Sequence, residues 1–460
     1  MSLQSDGRGR PRPVPAMTAP ARTPLDAWIS ARIGLPKGRA LNSECLAAWQ
    51  LARLNETLAF AAAHSPFYQR QGAGRFAPRL TRLEEIATLP FTTSQTLRDE
   101  PLQLLCVSQS AVARAVTLRT SGTTGEPKRI FFSQEDLEAT IDFFHHGMST
   151  LVLPGQRVLI LLPGELPDSV GDLLRRGLAR MEVIGIVHGP VADPGLVLQI
   201  IKEQHIDSLV GIPAQVLALA RHAQGADLGR ERIRSVLLST DYVPRSIVAA
   251  IQHAWDCDAF QHYGMTEMGY GGGVECAAHE GYHLREADLY FEIIDPATQR
   301  PVLSGQEGEV VFTTLGRRAM PLIRYRTGDL AAWIKAPCPC GSALRRMAWV
   351  RGRRQEQLAM ADGLALSITH LDEVLFALPE VLDYRVVVQH QNSDDHLRIT
   401  LMANKEDRRL PLRAAGEVAQ IPAIRTAAAK GLLTVDPIEV ELAPGSAAPP
   451  VKRMMKEKCI

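Results

Sequence analysis

A chain of 460 residues exceeds what one ordinary core organises, so it divides into two or three domains, and 46% hydrophobic against 22% charged residues marks it as globular. A formal net charge of +1 excludes a protein that grips nucleic acid by electrostatics, and the longest apolar runs, such as VLILLP at 158–163, fall far short of the roughly 20 residues of a membrane-spanning helix. Seven scattered cysteines form no disulfide framework; they point to a reducing, cytoplasmic setting in which close-set thiols suggest metal.

In chain order, residues 1–24 are rich in Arg, Pro and Gly without the apolar core of a secretory signal, and are expected to be a disordered tail. Two helical patterns follow, AWISARIGL and CLAAWQLARLNETLAFAAAHSPFYQR, the second ended by Pro66. From Ala115 short apolar runs (AVTL, KRIFF, RVLILLP, EVIGIV, SLVGI, SVLLST) alternate with helical stretches, the pattern of a mostly parallel sheet covered on both faces. YFEIID and GEVVFTT, joined through LSGQEGE, read as a β hairpin. Beyond Gly352 a helix at THLDEVLFALP and strands at DYRVVVQ and LRITLMA make a small α+β unit.

The run TSGTTGEPKR, Thr120 to Arg129, follows a strand and holds two glycines, three hydroxyls after Thr120 and two cations. Glycines allow the backbone to bend its N–H groups toward an anion, and Ser121, Thr123, Thr124 and Lys128 add donors around Gly122 and Gly125. Two residues between the glycines, and Arg129 after the lysine, exclude a Walker A loop. Alone, the run reads equally well as a polar turn.

Three further segments decide between these readings. TSGTTGEPK resembles the phosphate-binding loop of the adenylate-forming superfamily, HYGMTE (262–267) its Tyr-Gly-x-Thr-Glu segment, YRTGDL (325–330) its Tyr-x-Thr-Gly-Asp segment, and VRGRRQEQ (350–357) its Gly-Arg hinge. SPFYQR, MPLIRYRTGDL and CPCG make the phenylacetate-CoA ligase branch the nearest in texture. The resemblance implies an α/β fold: a large N-terminal AMP-binding domain (25–353) with mixed, mostly parallel sheets and a β-rich subdomain, then a small mobile α+β domain (354–460) turning about Gln355. It implies activation of a carboxylic acid, aromatic by the branch's habit, as acyl-AMP with pyrophosphate release, then transfer to coenzyme A. An acyl carrier protein is the alternative acceptor, and a degenerate nucleotide-binding protein the non-enzymatic alternative.

The resemblance also assigns roles. Glu267 would bind Mg²⁺, which takes one or two protein carboxylates beside phosphate oxygens; Thr266 would touch the α-phosphate, with Gly264 beside it. Tyr263 would lie against adenine or the acyl group, Asp329 and Arg353 on the ribose, and Ser239-Thr240-Asp241 along the adenine. Lys452, with Lys456 as the fallback, would bridge carboxylate and phosphate during adenylation. Lys128→Ala is expected to slow adenylation and leave the fold intact. The sequence departs from the family in Gln355-Glu356, where an Asp or Lys is usual near the hinge, and in lacking a glycine before Lys452.

Cys276, His279, His283 and the Cys338-Pro-Cys340 turn offer N and S ligands from two loops, the makings of a closed structural Zn²⁺ site. The branch resemblance favours Cys276, His283, Cys338 and Cys340, with His279 in competition. Cys106 and Cys257 read as core. A homodimer is the branch's common assembly.

Overall fold

The computed structural model describes residues 20–460 apart from 37, 72–78, 119–126, 226, 227, 229–231, 355, 356, 360–364, 391–394, 444–447, 452–454 and 460. Helices Pro24–Arg32 and Ser43–His64 stand where the periodicity places them, capped by the Thr23 and Asn42 side chains. Ser65, extended ahead of Pro66, ends the second helix. Thr23 is buried, so ordered packing starts slightly inside the segment expected to be a tail.

The strands Arg114–Leu118 (β1) and Lys128–Phe132 (β2) correct one expectation: they form a separate antiparallel hairpin, with Leu118 opposite Lys128, and not the start of the parallel sheet. The connection 119–127 is too short for a parallel crossover, which needs a dozen or more residues. The parallel part consists of β3 (Arg157–Ile160), β4 (Ile184–Val187), β5 (Ser208–Gly211), β6 (Ser235–Leu238) and β7 (Asp258–Tyr263), ordered β4-β3-β5-β6-β7. Helices Val170–Ala179, Pro194–Glu203, Pro213–Arg221 and Arg245–Trp255 make the connections. Strands β5 and β6 are buried throughout, which is why they read as unbroken apolar runs.

Beyond β7 the same sheet continues with antiparallel pairing. Strands β8 (Gly273–Glu275), β9 (Tyr282–Leu284), β10 (Leu289–Ile294), β11 (Glu307–Thr314), β12 (Tyr325–Ile334) and β13 (Arg346–Met347) complete an 11-stranded sheet, in the order β10-β11-β12-β13-β9-β8-β7-β6-β5-β3-β4. The expected hairpin is β10 with β11, where Phe291 faces Phe312. Arg324 crosses beneath it, fully buried, with Nη2 donating to Glu292 Oε1 at 2.9 Å.

After Arg353 come a short hairpin, β14 (Gln357–Ala359) with β15 (Ala365–Ser367), and helix Ile368–Leu375. A five-stranded sheet follows: β16 (Val381–His390), β17 (Asp395–Ala403), β18 (Leu433–Val435), β19 (Glu439–Leu442) and β20 (Met455–Cys459), backed by helices Leu410–Ala419 and Pro422–Ala429. Its apolar face does not close on itself alone. Leu371, Val386 and Ile424 share one buried cluster with Leu217, Ile247 and Trp255 of the larger part. Among the described residues no helix is long and apolar enough to cross a membrane.

Candidate active site

Strand β7 is the last parallel strand, and pairing reverses between it and β8. Ligands of open α/β sheets bind beyond the carboxyl ends of the strands, where such order changes. Here that end runs directly into His262-Tyr263-Gly264-Met265-Thr266-Glu267, which borders a cavity of about 1900 Å³. Its wall combines apolar side chains, among them Phe143, Phe144, Met148 and Val274, with charged ones, among them Arg98, Lys128, Glu267, Glu309 and Arg326.

Glu267 is 3% exposed and lines this cavity. Lys128 Nζ lies 2.6 Å from its Oε1, and Tyr325 donates its hydroxyl to the same oxygen at 3.0 Å. Arg317 donates to the Glu267 carbonyl. Burial pushes the Glu267 carboxyl up, but Lys128 and the surrounding donors outweigh it and hold the group below the usual carboxylate range, so it is a charged carboxylate. Glu267 and Lys128, drawn from motifs far apart in the chain, therefore meet on one wall of the cavity. Thr266 and Gly264 also line the cavity. A Cβ on Gly264 would stand 2.4 Å from the Tyr270 carbonyl oxygen, which accounts for glycine there.

Ser239 and Thr240 form part of the cavity wall, Thr240 in the left-handed backbone region (φ 83°), which is strained for a branched residue. The neighbouring Asp241 carboxylate accepts the Tyr242 N–H at 2.9 Å. Ser239 Oγ and His262 Nδ1 are 2.9 Å apart. Asp329 Oδ1 receives Arg353 Nε at 2.9 Å and Oδ2 the Tyr263 hydroxyl at 2.9 Å, so the two expected ribose residues adjoin. Tyr263, expected against adenine or the acyl group, is buried and gives its phenol proton to Asp329.

Ser121, Gly122, Thr123, Thr124, Gly125, Gln355 and Lys452 lie outside the described residues. The chain flanking Lys452 reaches the cavity: Val451 and Met455 belong to its wall, and Gln215 Nε2 donates to the Pro449 carbonyl at 2.9 Å. Lys456 is in β20, opposite Val387.

Sequence reasoning missed several residues here. Tyr325 opens the quoted YRTGDL segment, so its place beside Glu267 was within reach of the motif. Arg98, on the short helix Ser94–Asp99, carried no local signal. In the sequence, Gly271 to Gly273 read equally well as room for a planar ring and as a flexible turn. Instead, a Cβ on Gly271 would meet the Phe143 ring at 2.3 Å, so the space is filled by the protein's own aromatic. None of the three adopts a positive φ.

The two cysteine loops converge behind β7. One ligand atom from each of Cys276, His283, Cys338 and Cys340 lies within 4.8 Å of the others, all four residues being buried. Cys276 Sγ is 3.6 Å from Cys338 Sγ, and Cys340 Sγ is 3.5 Å from His283 Nε2. Tetrahedral donors about 2.3 Å from a common centre stand about 3.7 Å apart, so the set is already spaced for one ion. Burial, then the Arg346 charge, lowers the His283 pKa to about 4, keeping the imidazole in its neutral, ligating form. His279 faces Glu275 (3.5 Å) and packs on Phe260, outside this group. Arg346 ties the loops together: Nη1 donates to Glu280 Oε2 and O, and Nη2 to the Ala336 and Pro337 carbonyls.

Comparison with known proteins bears on the same residues. The AMP-binding enzyme family matches residues 76–316. A phenylacetate-coenzyme A ligase of Thermus thermophilus is 30% identical over 375 residues, covering 79% of this chain and 83% of that protein. One of Aromatoleum evansii is 29% identical, over 78% and 82%. Among solved structures, 2-hydroxyisobutyryl-CoA ligase in the postadenylation state with 2-HIB-AMP aligns with a TM-score of 0.75 at 20% identity, covering 93% of this chain and 94% of that one. The same ligase in the thioesterification state aligns at 0.62, over 93% and 91%. With its motifs gathered on one cavity and its relatives matching across most of their length, this chain belongs to the AMP-binding enzyme family, the adenylate-forming superfamily, in the branch of the phenylacetate-coenzyme A ligases.

Proposed function

We propose that the protein is an ATP-dependent acid-thiol ligase that activates an aromatic carboxylic acid as acyl-AMP and passes the acyl group to coenzyme A. The observation that carries this reading is the Lys128-Glu267-Tyr325 cluster on the wall of a cavity that also presents apolar side chains and arginines. The acid's ring enters the apolar side, beside Phe143 and Val274, and presents its carboxylate toward Thr266. A carboxylate oxygen then bonds to the α-phosphorus of ATP while the bond to the bridging oxygen breaks, and pyrophosphate leaves with that electron pair. Both reactants are anions, so cations and hydroxyl donors that hold them in line do most of the work. Lys128 and the hydroxyls of Ser121, Thr123 and Thr124 hold the departing phosphates, and Lys452 neutralises the attacking end. The two cavity-lining residues on either side of residues 452–454 support Lys452 over Lys456. In the second step the thiol attacks the acyl carbon, loses its proton, and AMP departs.

Two metals fit the residues present. Glu267, charged and with both of its side-chain contacts on Oε1, suits Mg²⁺, which would draw charge from the phosphate oxygens. Cys276, His283, Cys338 and Cys340 suit a structural Zn²⁺; four protein ligands would leave no position for reactive water, so the ion would tie β8 and β9 to the Cys338–Cys340 turn that follows β12. We assign residues 25–353 and 354–460 as the two domains, and coenzyme A as acceptor over a carrier protein.

Hydroxamate trapping of the acyl-adenylate, run with ATP, Mg²⁺ and a panel of aromatic and aliphatic acids, tests the reading. Acid-dependent hydroxamate with pyrophosphate release is expected. Folded protein that binds ATP yet traps nothing with any acid would sink it.

A further inference from the structure

Besides Val451 and Met455 at the cavity wall, the small C-terminal unit reaches the chain just after Ser239-Thr240-Asp241 through a carboxylate. Glu373, on helix Ile368–Leu375, accepts the Tyr242 hydroxyl on Oε1 at 2.7 Å. The same oxygen accepts the Arg245 N–H at 3.1 Å, and Oε2 the Ser246 N–H at 3.4 Å. Those two amides open helix Arg245–Trp255, whose own N-cap residue, Pro244, offers no side-chain acceptor. Glu373 therefore caps a helix of the other unit, where a carboxylate also meets the favourable end of the helix dipole. Its neighbour adds one more bond, from Ser246 Oγ to the Asp372 carbonyl at 3.2 Å.

The position of these partners gives the contact its meaning. Tyr242 directly follows Ser239-Thr240-Asp241, the segment at the cavity wall with a residue held at φ 83°. A second anchor, Arg221, binds the Phe376 carbonyl at 2.6 Å and the Val381 carbonyl, and its own carbonyl accepts Asn404 Nδ2 at 3.3 Å. Arg221 bonds to backbone carbonyls and the Asn404 amide of the small unit and feels the Glu380 charge, whereas Glu373 bonds to Tyr242, which continues the 239–241 segment. If the unit must swing away before the thiol enters, Glu373 releases a phenol and two amides together, and the 239–242 turn loses its outer support.

We propose that Glu373 is a positioning residue that couples the 239–242 nucleotide segment to the docked, adenylating placement of the C-terminal unit. The inference rests on the two-step reading above. It acts through Tyr242 and the start of helix Arg245–Trp255, and contacts no substrate itself.

The test separates the half-reactions, with phenylacetate as the acid. In Glu373→Ala, phenylacetate-dependent ATP–pyrophosphate exchange falls about tenfold with a raised KM for ATP, the size expected for losing charge-assisted hydrogen bonds. Thioester formation from supplied phenylacetyl-adenylate and coenzyme A stays unchanged. Glu373→Gln keeps an acceptor oxygen and recovers most of the loss. Arg221→Met weakens exchange without moving the KM for ATP. Equal loss in both half-reactions, or Gln as poor as Ala, overturns the proposal. Amide hydrogen exchange gives an answer even if the protein makes no adenylate. Undocking in Glu373→Ala raises exchange at 376–381 and around Asn404 as well as at 242–246, while a change confined to 242–246 refutes the coupling.

Discussion

Lys128→Ala removes more than a phosphate contact. The Lys128 ammonium sits 2.6 Å from a Glu267 oxygen, with side-chain exposures of 16% and 4%. At an effective dielectric near 20, unit charges about 3 Å apart attract by about 6 kcal/mol before desolvation is counted. Breaking a buried pair by deleting one partner costs about 3–5 kcal/mol, because a carboxylate is left buried without its counter-charge. Here the Tyr325 hydroxyl remains on the same oxygen and Lys128 is partly solvated, so about 2 kcal/mol is the expected loss. The sequence alone suggested an intact fold with slowed adenylation; the structure adds a melting temperature lower by a few degrees. Thermal melts without nucleotide, on Lys128→Ala, Glu267→Gln and the double variant, measure the coupling. The double variant, whose neutral amide needs no cation, should recover at least half of the single loss, while adenylation stays slow in all three. Strictly additive melting shifts would refute the buried pair and the magnitude built on it.

Other consequences are equally open to measurement. Gly271→Ala drives a methyl into the Phe143 ring, so the ring must shift into the acid compartment; hydroxamate assays should show the preference moving toward smaller acids, and an unchanged acid profile would count against that placement. Metal analysis of the purified protein should find about one zinc per chain. Cys340→Ser should lose it, while Arg346→Met, which cuts the ties to Glu280, Ala336 and Pro337, should release zinc to a chelator faster without removing a ligand. Burial lowers the His262 pKa to about 4 from an ordinary 6.5. Because the unfolded chain binds that proton first, the stability tied to neutral His262 is full above about pH 6.5 and is lost as pH falls toward 4, by no more than about 3 kcal/mol. His262→Gln should flatten the melting profile across that window, and an equally steep profile would assign the slope to other groups.

Much of this molecule was readable from residue order. Patterns local to a few residues, such as the Pro66 stop, the all-apolar β5 and β6 and the β10–β11 hairpin, appear where the periodicity puts them. The clustering of Cys276, His283, Cys338 and Cys340 was legible because cysteine is rare and the branch resemblance ranked the two histidines; His279 instead faces Glu275. What escaped was set by partners remote in sequence. Gly271 is explained by Phe143, which arrives from a helix more than a hundred residues earlier, and the Glu373 cap depends on how two units dock. The β1–β2 hairpin was misread because two apolar strands look alike in either direction, and only the shortness of their connection separates the cases.

An unbroken ladder from β4 to β10 makes the larger part of the molecule stiff. Flexing it between its parallel and antiparallel portions would strip backbone hydrogen bonds from strands buried on both sides, a penalty no small ligand can meet. Among the described residues, the five-stranded sheet shares no ladder with that body, and the two are held together by side-chain bonds, caps and an apolar face. The joint between these two sheets is thus more compliant than the long ladder, and relative motion of the units costs side-chain contacts, not strand pairing.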